Sequence, residues 1–85
     1  VSENGVASLS IYPNPAVSET FVTIENAGIN QVSVYDIQGR LVSKESVMAN
    51  NGDQVRLGTE TLTSGVYFVR VSNDGAVRTA KLVVK

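Results

Sequence analysis

Apolar residues in this chain come in short alternating runs, and turn residues separate the runs. Ala7, Leu9 and Ile11 alternate with Ser8, Ser10 and Tyr12. Pro13-Asn14-Pro15 ends that run, because neither proline has an N–H to donate to a ladder. Thr20 to Asn26 places Val22 and Ile24 on one face and Thr23 and Glu25 on the other, and Ala27-Gly28-Ile29-Asn30 then reads as a turn. Val32 and Val34 alternate with Gln31, Ser33 and Tyr35. Asp36-Ile37-Gln38-Gly39 turns the chain, with Gly39 suited to positive φ. From Arg40 to Met48 the apolar spacing (Leu41, Val42, then Val47, Met48) breaks phase, which predicts a bulge between Ser43 and Ser46. Asn50-Asn51-Gly52-Asp53 is a further turn, and Val55 and Leu57 mark a short strand. In the polar connection from Thr59 to Ser64, Leu62 is expected to plug the end of the core.

The last two runs can be registered against each other. A two-residue Asp74-Gly75 turn of type I′ sets Tyr67 opposite Leu82 and Val69 opposite Ala80, with Val71 and Val84 extending that face. A slip of one residue would set Val69 against Lys81, so the first register is preferred. Thr79 to Lys85 reaches the end of the sequence without a tail. Its edge is therefore expected to be open, suited to strand addition and exposed to strand exchange between copies. No segment carries a helical period. The pattern predicts an all-β sandwich of about seven antiparallel strands in two sheets.

Composition agrees with that reading. Fifteen Val, four Ile and six Thr stand against five Leu and one Met, and branching at Cβ favours the pleated surface over helix. Eighty-five residues make one small domain, which buries roughly 60–65% of its unfolded surface and has no room for a large internal pocket. Seven basic and eight acidic side chains give a net charge of −1, so no nucleic-acid footprint is present. No apolar run approaches the roughly 20 residues of a membrane-spanning helix. The chain has no Cys, which leaves its compartment open while suiting passage through an oxidising periplasm. Val1 to Gly5 lacks Met and any leader pattern and reads as a linker remnant ahead of a domain at 6–85.

Catalysis has little to work with, since the chain has neither His nor Cys, and its carboxylates are scattered over turns and outward strand positions. The expectation is a protein that is not an enzyme and holds no cofactor. Asn50-Asn51-Gly52-Asp53 and Asn73-Asp74-Gly75 offer oxygen ligands, but neither supplies the six or more that calcium takes. Turn formation explains these residues without a metal. The outward face of the last hairpin combines Val66, Phe68, Arg70, Thr79, Lys81, Val83 and Lys85, with Phe68 opposite Lys81. That strip reads either as a binding patch or as apolar surface covered by long basic stems.

Four stretches together resemble a known family. They are Tyr12-Pro13-Asn14-Pro15, Val32 to Arg40 (which contains Tyr35, Asp36, Gly39 and Arg40), Leu62 to Val71, and Lys81-Leu82-Val83-Val84-Lys85. In this order they closely resemble the type A C-terminal sorting domain of the type IX (Por) secretion system, from Leu9 onward. The resemblance implies an immunoglobulin-like sandwich that follows a cargo domain, folds in the periplasm and directs the cargo across the outer membrane to the surface. It implies as partners the translocon and its shuttle components and a surface sortase that removes the domain. It places the signal on Gly65, Tyr67, Lys81, Leu82, Val83, Val84 and Lys85, and Phe68 joins them from the outward strip. A strand-exchanged homodimer is a further expectation, whereas nucleic acid and metal are not expected as partners. The other function weighed is a non-catalytic carbohydrate-binding or spacer module of a secreted enzyme.

Overall fold

A computed structural model describes residues 7–85; the expected linker at Val1 to Gly5 lies outside the described residues. Eight strand segments follow one another: β1 (Ala7–Ser8), β2 (Ile11–Tyr12), β3 (Glu19–Thr23), β4 (Gly28–Asp36), β5 (Leu41–Ala49), β6 (Gln54–Gly58), β7 (Gly65–Asn73) and β8 (Ala76–Val84). They form a five-stranded sheet in the order β1-β8-β7-β4-β5 and a three-stranded sheet in the order β2-β3-β6. The placement of β7 between β4 and β8, opposite β2-β3-β6, is that of an immunoglobulin-like sandwich.

The period-2 pattern explains which side chains meet between the sheets. Val22 and Ile24 project from one sheet, and Val32, Val34, Val69, Val71, Leu82 and Val84 from the other; all are buried. Leu62 is half-buried and packs against this core, as its position suggested. The final hairpin has the expected register, with Tyr67 opposite Leu82, Phe68 opposite Lys81 and Val69 opposite Ala80. Its turn residues Asp74 and Gly75 have φ of 48° and 92°, the two positive values that a type I′ turn requires.

Four expectations change. The first alternating run is not one strand: β1 pairs with β8 in parallel, and β2 crosses to pair antiparallel with β3. One predicted strand thus serves both sheets, so seven runs become eight segments. The proposed turn at Ala27–Asn30 shrinks, because β4 already begins at Gly28. The buried Asn30 carboxamide holds that bend by donating to the carbonyls of Asn26 (3.0 Å) and Gly28 (3.1 Å). The bulge lies at Val42, not between Ser43 and Ser46: Val34 faces Ser43 and Tyr35 faces Leu41, so Val42 has no opposite residue. The phase break that suggested the other position has a different cause. Leu41 and Met48 pair with Tyr35 and Ile29 on the face directed away from the core, and Val42 is the bulge residue, so apolar side chains fall on both sides of β5 and these three remain exposed.

The fourth change concerns the edge of β8. It is covered, not open. Along it lie β1, then Asn14, then Ala16, and their bonds run nearly the length of the strand. Leu9 N donates to Thr79 O (3.3 Å), Ala16 N donates to Val83 O (2.8 Å) and Lys85 N donates to Ala16 O (2.9 Å). Between them the Asn14 side chain acts as a rung: Nδ2 donates to Lys81 O (2.8 Å), and Val83 N donates to Oδ1 (3.0 Å). A carboxamide carries the same donor and acceptor as a peptide group, so it replaces one where the proline-flanked backbone cannot lie flat.

Candidate functional site

The four motif stretches meet in two pairs, and each pair has its own chemistry. Tyr12–Pro15 closes on Lys81–Lys85 through the Asn14 rung. Its return toward β3 is held by Thr20, fully buried, whose hydroxyl donates to Pro13 O at 2.8 Å. Sequence reasoning passed over Thr20 and Ala16. Alternation does place Thr20 on the inward face with Val22 and Ile24; nothing local marks Ala16, whose role comes entirely from its neighbour β8.

The second pair joins the β4–β5 turn to the connection ahead of β7. Asp36 organises the turn. Its Oδ1 accepts from the backbone N of Gln38 and of Arg40 (both 2.9 Å), and its Oδ2 accepts from Arg40 Nε at 3.0 Å. Gly39 takes φ of 85°, which allows its N–H to reach Asp36 O at 2.9 Å. Asp36, Gly39 and Arg40 are therefore one turn, and the exposed guanidinium adds little to it. Across a groove of about 460 Å³, Leu62, Thr63 and Gly65 face that turn. Tyr67 closes the base of the groove: its hydroxyl donates to Thr63 O at 2.8 Å, the bond of a tyrosine corner.

The backbone N–H of Arg40 above all, together with its guanidinium and the Gln38 N–H, holds the Asp36 carboxyl below its ordinary pKa. A carboxylate whose folded pKa is depressed stabilises the fold above its unfolded pKa and ceases to do so as pH falls through the folded value. Acidification below about pH 4 therefore removes this contribution. The difference in urea midpoint between the wild-type domain and Asp36→Asn is expected to be larger at pH 7 than at pH 3. An equal difference at both pH values would contradict this account of the turn.

The expected signal residues divide by face. Tyr67, Leu82 and Val84 are core side chains, and Gly65 pairs with Val84 at the start of β7. Phe68, Lys81 and Lys85 are exposed and Val83 is half-buried on the outward side of the same hairpin. Half of the motif therefore builds the hairpin, while the other half is displayed by it. Tyr35 lies on that displayed face too, opposite both Phe68 and Leu41. The Asn- and Asp-rich turns bond to backbone: Asp53 Oδ2 accepts from Asn50 N (2.9 Å), and Asn73 Nδ2 donates to Asn26 O and Ala27 O (3.2 and 3.1 Å).

Comparison with known proteins identifies the family. The model of a family described as the secretion system C-terminal sorting domain matches residues 10–85. The chain is 32% identical to part of beta-agarase A of Zobellia galactanivorans, a match covering 88% of this chain and 13% of that protein. It is 28% identical to part of an ulvan lyase of Nonlabens ulvanivorans, covering 99% of this chain and 16% of the lyase. The chain thus spans a small fraction of the length of these relatives.

Proposed function

The chain belongs to the family of secretion system C-terminal sorting domains, and from that premise we propose which part of its surface the type IX machinery uses. The domain is a type IX sorting signal, and its role is to send attached protein across the outer membrane to the cell surface or beyond. Recognition falls on the outward face of the final hairpin, at Phe68, Lys81, Val83 and Lys85. One observation carries this: Asn14 and Ala16 occupy the edge of β8, so its outward face is what a partner meets. Recognition by simple strand addition, and strand exchange at that edge, would first have to displace the Tyr12–Pro15 segment. The cargo domain precedes the sandwich, the folded domain passes from the periplasm through the translocon with its shuttle components, and a surface sortase then removes it. The domain performs no chemistry itself.

Truncation is a poor test, because removing Lys81–Lys85 also takes Leu82 and Val84 out of the core. Charge reversal separates folding from recognition. In a cargo-bearing precursor, the pair Phe68→Ser with Lys81→Glu is expected to keep the thermal midpoint within a few degrees. It is also expected to leave uncleaved precursor in the periplasm. Normal export and processing of that variant would overturn the proposed face.

A further inference from the structure

Charge is distributed unequally over the two outer surfaces. On the three-stranded side Arg56 is bound by carboxylates on both flanks, Glu19 and Glu60. On the five-stranded side, residues paired across strands share a face, so Lys44, Ser33, Arg70 and Thr79 form one transverse row directed away from the core. The next row is Leu41, Tyr35, Phe68 and Lys81. Among the described residues no carboxylate pairs with Lys44, Arg70 or Lys81, and no acidic residue occupies an outward position in these rows. A domain of net charge −1 thus presents an unneutralised basic face.

The centre of this face is shaped. A depression of about 240 Å³ lies over Ser33, with Gln31 and Ser72 beside it and Tyr35 at one side. Lys44 and Arg70 flank Ser33 from the two neighbouring strands. Their backbones are therefore roughly 10 Å apart, two strand spacings, and both side chains are long enough to converge above the serine.

We infer that this depression is a binding site for an anionic glycan, a sugar chain bearing carboxylate, sulfate or phosphate groups. Lys44 and Arg70 meet the acidic group. The hydroxyls and amide of Ser33, Ser72 and Gln31 match sugar hydroxyls, and the Tyr35 ring offers a face for the apolar side of a pyranose. An acidic peptide fits less well. Strands β4 and β7 are paired on both sides, so an extended peptide laid across them finds no free backbone groups. The inference does not rest on the export role and is tested by direct binding.

Amide chemical shifts of the domain are followed during titration with a heparin-derived hexasaccharide, with maltohexaose and hexaglutamate titrated in parallel. The sulfated sugar is expected to move Ser33, Lys44, Arg70 and Ser72, with an affinity that weakens as salt is raised. Maltohexaose is expected to bind at least tenfold more weakly. The double variant Lys44→Gln/Arg70→Gln, altered only at exposed positions, is expected to keep its thermal midpoint and lose at least tenfold in affinity. Shifts absent from those four residues, or an unchanged affinity in the double variant, would overturn the site. Hexaglutamate binding as tight as that of the sulfated sugar would overturn the glycan assignment in favour of an acidic peptide.

Discussion

Leu82→Ala is expected to destabilise the domain by about 2–5 kcal/mol, the usual range for truncating a fully buried leucine. Leu82 has no exposed surface and sits opposite Tyr67, between the two sheets. At roughly 4–8 °C per kcal/mol for a domain of this size, the thermal midpoint should fall by about 8–40 °C. Total stabilities run to only about 5–15 kcal/mol, so this loss removes a large share of the margin, and export of an attached protein is expected to fail through unfolding. The neighbouring Lys81→Ala, on the exposed side, is expected to move the midpoint by only a few degrees. Thermal melts followed by circular dichroism check the pair. Equal losses at the two positions would contradict the inward and outward alternation on which the division of the signal residues rests.

The second large effect is expected at Asn14. Asn14→Ala removes both bonds of the side-chain rung and leaves Lys81 O and Val83 N to solvent. Two such bonds are worth about 1–3 kcal/mol together, with the lower part of that range expected because Asn14 is exposed. The larger consequence is geometric. Without the rung, the middle of β8 offers unpaired backbone groups, the condition under which strands recruit a second chain. The variant is expected to associate as its concentration is raised, where the wild type does not, in sedimentation velocity runs. Asn14→Asp should behave similarly, because a carboxylate oxygen would then face the Lys81 carbonyl oxygen in place of a donor. A monomeric, fully stable Asn14→Ala would show that the proline-flanked segment does not guard this edge.

The opposite edge of the five-stranded sheet is protected by different means. Strand β5 carries Lys44 and Glu45 at its centre. In a continuous two-fold sheet, paired residues must project to the same face, so registers centred on these residues set Lys44 against Lys44 or Glu45 against Glu45. Like charges opposite one another disfavour that pairing. One rim is thus defended by charge and the other by a bound segment.

Much of this was legible along the chain. Strand alternation identified Val22, Ile24, Val32, Val34, Val69 and Leu82 as inward residues, and the Asp74-Gly75 turn set the hairpin register. Both inferences depend on local geometry: side chains alternate every residue, and a two-residue turn permits one pairing. The four motif stretches likewise identified the family from residue order alone. Their contacts were not legible. Asn14 lies 67 and 69 residues from its partners Lys81 and Val83, and no periodicity reports a bond between positions so far apart. The same holds for the split of the first run between sheets, and for Lys44 and Arg70 flanking Ser33 from strands that are not sequential. Leu41, Val42 and Met48 show the limit most clearly. Their apolar character speaks for burial, yet the pairing of β5 with β4 and the bulge at Val42 turn Leu41 and Met48 to the face away from the core. Local pattern specifies which way a side chain points, whereas the assembled sheets determine what it meets there.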